Sequence, residues 1–383
     1  MNNGNHNERR KDFSRRNAIW WDRRLWWIAL GLIIWGLRWG LRAVPQVVET
    51  VYSRGIFLFI RQFLSTTLGW LPFSAIILLL PILLWIFIRK WRQRRRNRKE
   101  NGVQWNWGQH LGQAGLNLLA FGAGIFIVFN VLWGFNYGRI PLETTLKLEV
   151  KGLDAERLCE EMEFAMLAAE AARARIPGVS SDSLSMDLLP GDLENQVQID
   201  LEETLRMLGY PAPAWGRVRA RVVAGGTLLR MSIAGIYNPF TGEGNIAGAS
   251  TLPRYPSTMA HEMAHGYGFG NEGTCNFLAI LACTRSNDPL IGYSGWMSYW
   301  YYIGRELRKL DPLLYQMLRR QVGPGFNADL RANYYNSKKY SSWFSKIGLR
   351  VNEAYLKTQG IKAGLNSYNR VANMFAEWRR LGN

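Results

Sequence analysis

The chain has 383 residues, 48% of them hydrophobic, and a formal net charge of +18. Residues 1–110 carry 19 Lys or Arg against 5 Asp or Glu, whereas the remaining residues carry 28 against 24. The excess positive charge therefore lies beside the apolar N-terminal segments, where it sets membrane topology, and not on a nucleic-acid-binding surface. We expect the lipid bilayer as a partner and no nucleic acid.

Three apolar segments, at about 25–41, 68–88 and 111–135, predict transmembrane helices. The first is the weakest, because Arg38 and Arg42 would have to reach the far interface. The alternative for each segment is a buried core helix. Residues 44–67 predict a helix lying in or near the outer interface.

Loop charge predicts the orientation. Residues 89–99 hold eight Lys or Arg and no acid, so the loop 89–110 and the basic arm 1–24 should stay in the cytoplasm. The N-terminal apolar run has no small-residue cleavage site and should remain as an anchor. We therefore expect a multi-pass plasma-membrane protein with a membrane domain at 25–135 and an extracytoplasmic domain at 136–383.

We call residues 136–383 the outer domain. Their sequence pattern predicts helices at 153–175 and about 194–208, and strands at 217–223 and 228–236. Residues 235–243 then form a strand end and a turn, with Glu243 expected at the surface. The segment 228–237 is the candidate edge strand that pairs with extended substrate, which makes Gly235, Ile236 and Tyr237 candidate substrate-binding residues. The alternative is a plain core hairpin.

The sequence His261-Glu262-Met263-Ala264-His265 follows this turn. A spacing of four places both imidazoles on one helix face, where they can bind one metal ion. In zinc peptidases this HExxH pattern supplies two zinc ligands, and the Glu between them is the general base. We therefore expect Zn²⁺ as the cofactor, His261 and His265 as ligands, and Glu262 as the catalytic base.

The glycine-rich stretch 266–270 should end this helix, and Asn271 should cap a second helix that begins at Glu272. Glu272 is the candidate third ligand; the alternative is an ordinary acidic residue in the first turn of a helix. Asn276 lies one turn later and is the candidate residue that orients Glu272 or a His. Cys275 is expected to be a small buried residue, although a ligand role is the alternative.

From residue 289 the chain is helical and aromatic. A Tyr of the cluster between Tyr293 and Tyr302 could stabilise an oxyanion, or the cluster could be core packing. The fold class that follows is membrane-anchored α+β: about three N-terminal transmembrane helices, then a mainly helical, zincin-like domain with a small β-sheet.

The chain resembles a family of uncharacterised bacterial membrane proteins, known only as a domain of unknown function with a metallopeptidase-like signature. The stretches that carry the resemblance include Trp133 to Arg139, Gly235 to Glu243, the HEMAH motif, Glu272 to Ala279, Tyr355 to Lys357 and Gly364 to Tyr368. The metal site of that family is similar to that of gluzincins, where a Glu four residues before an Asp or Asn is the third ligand. The resemblance thus implies that Glu272 is the third ligand and that Asn276 is the residue four positions after it. One departure is Thr274, which stands where the family usually has a second acid.

These patterns predict a membrane-bound zinc metallopeptidase that acts on a protein or peptide substrate. The alternative is a catalytically inactive, zincin-like membrane protein that binds a peptide or a cell-envelope component. Glu262 favours catalysis, because a binding protein needs no base beside two metal ligands.

Overall fold

The computed structural model describes residues 22–100, 107–212, 216–341 and 369–382, together with Gly348, Arg350 and Ala354. Nearly all of the basic arm 1–24 and the resembling stretches 355–357 and 364–368 lie outside these residues. Most of the described chain is helical, and its strands form one three-stranded sheet. The mainly helical α+β character expected from the sequence is therefore confirmed.

The described part of the N-terminal third is mainly helical. Two of its helices, α1 (Arg23–Leu41) and α4 (Trp107–Leu132), pack along each other, and a Cβ on Gly31 would lie 3.0 Å from the Cβ of Ala123. Such close approach through small residues is common between membrane helices. The elements are α1 (Arg23–Leu41), a short turn (Pro45–Val47), a π-helix (Val48–Ile56), α2 (Phe57–Leu68), α3 (Ile76–Glu100) and α4 (Trp107–Leu132).

Within the described residues, one helical stretch, Leu111–Leu132, is long and apolar enough to cross a membrane. The pair Arg23–Leu41 and Pro45–Leu68 passes the same criterion together but is bent by 108°. The span expected from residue 68 is different, because α3 begins only at Ile76 and reaches Arg89 after 13 residues. That apolar part is about 20 Å long, shorter than the roughly 30 Å of a bilayer core.

Helix α3 begins late because residues 69–75 bind the outer domain instead of forming helix. The carbonyl of Gly69 accepts hydrogen bonds from Arg219 (2.8 Å) and Arg221 (3.0 Å), and Arg221 also donates to the Leu71 carbonyl. The Ala75 N–H donates to Glu243 Oε2 at 2.9 Å. The expectation of a surface position for Glu243 is therefore wrong: the side chain is buried and holds this loop.

The sheet differs from the predicted pair of strands. Its strands are β1 (Arg219–Val223), β2 (Gly235–Asn238) and β3 (Glu243–Ala247), in the order β1-β3-β2. The first pair is parallel and the second antiparallel. The prediction of a strand at 228–236 is mostly wrong. Thr227–Arg230 is a short helix, and β2 begins only at Gly235. The central strand β3 is buried along its whole length, so its sequence lacks the alternation that would have revealed it.

The outer domain buries one large core between its helices and the sheet. Two helices lie close to their predicted ranges, α5 (Ala155–Ala174) and α6 (Leu193–Met207). The later helices are α7 (Tyr255–Gly266), α8 (Glu272–Thr284), α9 (Pro289–Leu310), α10 (Pro312–Gln321), α11 (Pro324–Tyr340) and α12 (Asn369–Arg380). Helix α8 packs against α6, α7, α9 and α12, and its side chains are nearly all buried.

Candidate metal centre

Helix α7 carries both histidines on one face, as their spacing predicts. It packs beneath the sheet and against α8. The ring centroids of His261 and His265 are 4.8 Å apart, and their Nε2 atoms are 3.2 Å apart. Two nitrogen donors therefore point at one position.

A tight turn brings the third donor to the same place. Gly268 adopts a φ of +87°, a left-handed conformation that favours glycine, just after α7 ends. The Asn271 side chain then accepts a hydrogen bond from the Thr274 N–H (3.1 Å) and caps α8, as predicted. Glu272 is thereby the first residue of α8. Its Oε2 lies 3.1 Å from His261 Nε2, and its Oε1 lies 3.5 Å from His265 Nε2.

These separations fit a tetrahedral metal ion. Zinc bonds of 2.0–2.2 Å to nitrogen and oxygen place neighbouring ligand atoms about 3.3–3.6 Å apart. The two imidazole nitrogens are 3.2 Å apart, and each lies near a different oxygen of Glu272: His261 is 3.1 Å from Oε2 and His265 is 3.5 Å from Oε1. Each separation is close to that range. His261, His265 and Glu272 also form the one group of potential metal-binding side chains among the described residues.

The imidazole of His265 is oriented by the chain itself. Its Nδ1 lies 2.8 Å from the Phe269 carbonyl, which accepts the N–H and leaves the Nε2 lone pair for a metal. The Cys275 sulfur lies 3.3 Å from the same Nδ1 and donates to the same carbonyl. Cys275 therefore contacts the side of the ring away from Glu272 and does not belong to the donor group.

Electrostatics favours an ionised Glu272. Burial alone would raise the pKa of its carboxyl, but His265 and His261 outweigh burial and hold that pKa far below the ordinary value. Burial also opposes charge on His265, yet Cys275 and Glu272 hold its pKa well above that of a free histidine. Two imidazoles and a carboxylate are donor types that suit a borderline-soft dication such as zinc.

Glu262 lies against the sheet, in a space that two glycines leave free. A Cβ on Gly235 would lie 2.7 Å from both the Cγ and the Oε1 of Glu262, and a Cβ on Gly244 would lie 2.7 Å from its Cβ. Burial raises the pKa of Glu262, and the charges of His261 and His265 only partly offset it. This side chain is thus held close to both imidazoles in a dry environment.

Strand β2 is an edge of the sheet in the described chain. The Ala247 N–H donates to the Ala234 carbonyl, and Ile236 is paired with Asn245. Because an antiparallel ladder alternates, the backbone groups of Gly235 and Tyr237 point away from β3. The three residues expected to bind substrate therefore lie on an edge beside α7, with two of them turned outward.

Asn276 and two tyrosines of the aromatic cluster make hydrogen bonds away from the donor group. The Asn276 amide donates to the Glu272 carbonyl at 2.8 Å, so its hydrogen bond goes to the backbone and not to a carboxylate or imidazole. In the aromatic cluster, the hydroxyl groups of Tyr293 and Tyr299 bind the buried Asp329 and Glu161. These two tyrosines belong to the core.

Sequence patterns did not reveal the role of Trp133. Its indole N–H donates to the His265 carbonyl at 2.8 Å, and its ring contacts the rings of His265 and Tyr237. Trp133 directly follows α4, and only its place in a resembling stretch marked it. Gly244 had no such signal, because β3 itself was not predicted.

No match was found for the chain among curated proteins or among solved structures. The family model described as "Protein of unknown function (DUF3810)" matches residues 52–375. This range includes α2 to α9, the sheet and every residue of the candidate metal centre. The chain therefore belongs to the DUF3810 family.

Proposed function

We propose that this protein is a membrane-bound zinc metallopeptidase whose outer domain lies outside the cytoplasm. The observation that carries the proposal is the convergence of His261, His265 and Glu272 at separations suited to one zinc ion. The buried Glu262 next to them is a group that metal binding alone does not need. A zinc ion held there would supply Lewis acidity, which polarises a water molecule and a peptide carbonyl.

Glu262 would carry the proton. Its carboxylate accepts a proton from the attacking water and then delivers it to the leaving amine. Its raised pKa suits this double role, because a general base works best when its pKa is near the operating pH. The backbone of Gly235 on the outer edge of β2 would hold an extended substrate by hydrogen bonds, in the manner of an added strand, next to the Tyr237 N–H that bonds the Glu262 carboxylate.

The proposed topology depends on two crossings, the stretch Leu111–Leu132 and α3, which leads from residues 69–75 beside the outer domain to the basic segment 89–99. The long basic side chains that follow Ile88 would extend the apolar part of α3, about 20 Å long, to the interface. The stretch Leu111–Leu132 connects the basic segment 89–99 to the outer domain, and most of it is exposed, unlike a core helix. Because Lys- and Arg-rich loops stay in the cytoplasm, this crossing places the metal centre on the opposite side. The three-span, multi-pass arrangement remains part of the proposal.

The test is the zinc content of the detergent-purified full chain, measured by elemental analysis. We expect about one zinc per chain in the wild type. Glu262→Gln should retain zinc and lose peptide hydrolysis by a factor of about 10²–10⁴. His261→Ala should lose zinc, and Glu272→Ala should bind it more weakly.

Glu149→Ala is the matched control, because it removes an exposed carboxylate that forms an ion pair with Lys151 far from the donor group in sequence. It should leave zinc content and hydrolysis unchanged. A wild-type chain without zinc, even after reconstitution with the metal, would overturn the peptidase proposal. That result would favour a membrane protein that binds a peptide or envelope component.

A further inference from the structure

The metal centre is attached directly to the end of the candidate membrane helix. Leu132 is the last residue of that stretch, and the next residue, Trp133, donates a hydrogen bond to the carbonyl of His265. A second tether lies close by, because Arg139 donates to the carbonyls of Tyr267 and Gly268 at 3.2 and 3.1 Å. No linker therefore separates the site from the point where the chain would leave the bilayer.

The segment 48–75 has two faces. Its inner face packs on the outer domain: Phe57 lies against Gly268, Leu64 lies against Gly242, and Arg61 stacks on the Tyr267 ring with its guanidinium carbon 4.5 Å from the centroid. Its outer face exposes large apolar side chains to the surroundings. These are Val51, Ile56, Phe59, Phe63, Trp70 and Phe73, with exposures from 40% to 74%.

The partner of this apolar face is indicated by its position next to the end of the candidate membrane helix. The π-helix of this segment is bonded to the end of α4, where the Tyr52 hydroxyl donates to the Val131 carbonyl and Ser53 donates to Asn136. An aromatic ridge beside the end of a membrane span lies where the bilayer interface would be. The exposed face therefore fits the outer leaflet of the same membrane.

Hydrogen bonds fix the placement of this segment. Its last residues bind the sheet, because Arg219 and Arg221 hold Gly69 and Glu243 holds Ala75. Since β3 and α7 pack together, the apolar face and the metal centre belong to one packed unit. If the face lies in the interface, the site is held at a fixed distance from the bilayer.

We infer that the substrate is a membrane-anchored polypeptide, cut in the extracytoplasmic segment next to its own anchor. This inference rests on the proposed peptidase activity and adds the substrate class. The headgroup layer is roughly 5–8 Å thick, and an extended chain advances about 3.3 Å per residue. Roughly two to three extended residues cross the headgroup layer, and about ten, roughly 33 Å, would also reach into a site tied to the end of α4. We therefore expect cutting within about ten residues of the bilayer core.

The first experiment measures membrane depth without any activity. The full chain carries a nitroxide spin label at Phe63→Cys, in a Cys159→Ser background, and is reconstituted in phosphatidylcholine vesicles. Relaxation by oxygen should exceed relaxation by a water-soluble nickel chelate at this position. The control label is at Leu313→Cys, an exposed apolar residue of α10, where the nickel chelate should dominate. Nickel dominance at residue 63 would overturn the inference and leave the peptidase proposal intact.

The second experiment measures substrate preference. A degenerate peptide library is presented to zinc-loaded proteoliposomes either free in solution or joined to a lipid anchor, and the cut sites are read by mass spectrometry. We expect the anchored library to be cut at least tenfold faster, within about ten residues of the anchor. Equal rates for the two forms would overturn the inference. Cleavage of neither form would overturn the peptidase proposal and this inference with it.

A pair of matched variants links the two measurements. Phe59→Ser with Phe63→Ser removes two exposed side chains from the apolar face, and Leu313→Ser with Met317→Ser removes two from α10. The first pair should lower the preference for anchored peptides and keep the rate on free peptides. The second pair should change neither rate. A preference that survives the first pair would contradict the role of this face.

Discussion

At the residue scale, two glycines of the sheet decide where the Glu262 carboxylate lies. A Cβ at residue 235 would meet the mobile end of that side chain, whereas a Cβ at residue 244 would meet its Cβ, which the backbone of α7 fixes. Gly235→Ala should therefore move the carboxylate and lower peptide hydrolysis by about a hundredfold, with little loss of stability. Gly244→Ala should instead lower the free energy of unfolding by about 1–3 kcal/mol, because the sheet must move away from the helix.

The measurements are hydrolysis rate, zinc content and denaturant unfolding of the purified chain. Gly235→Ala should keep its zinc, since Glu262 is not in the donor group. Gly152→Ala is the control, because no residue that the structure describes lies within 4 Å of the added Cβ. Full hydrolysis by Gly235→Ala would show that this glycine does not position the base.

At the scale of elements, the N-cap of α8 sets the position of Glu272. Asn271→Ala removes the acceptor of the Thr274 N–H and should cost about 1 kcal/mol of stability. Because Glu272 is the next residue, we also expect zinc affinity to fall by about fivefold, as for a loss of about 1 kcal/mol in binding. Competition with a chromogenic chelator measures this affinity.

A second N-cap provides the control for that prediction. Asp154 caps α5 by accepting from the Arg157 N–H at 2.8 Å, and α5 carries none of the metal-binding side chains. Asp154→Ala should cost a similar amount of stability and leave zinc affinity unchanged. If the two variants lost zinc equally, general destabilisation would explain the effect and the specific role of Asn271 would fail.

At the scale of the whole molecule, the segment 48–75 and the outer domain stabilise each other. Glu49 forms an ion pair with Arg139 (2.8 Å), and the sheet arginines hold residues 69–71. A fragment of residues 136–383 would expose the apolar surface that covers Phe57 and Leu64, and would leave Arg219 and Arg221 without these carbonyls. We expect it to aggregate or to be digested rapidly by proteases, whereas the full chain in detergent resists. A stable, zinc-binding fragment would contradict this prediction.

Much of the candidate site could be predicted from local sequence. The i, i+4 histidines and the Asn271 cap are local features, because a helix and its cap depend on neighbouring residues. Glu243 and β3 could not be predicted, since burial of a polar residue depends on distant partners such as the Ala75 N–H. The start of α3 was missed for the same reason: residues 69–75 bind arginines some 150 positions away in sequence.

Local sequence is enough to specify the HEMAH helix, the cap that follows it, the apolar N-terminal segments and the match of residues 52–375 to their family. Each depends on short-range periodicity or on a motif. Three features arise only in the folded chain: Glu272 approaches both imidazoles, Gly235 and Gly244 make room for Glu262, and Trp133 ties the site to the end of α4. These contacts join residues remote in the chain, and packing of helices, sheet and loop against one core brings them together.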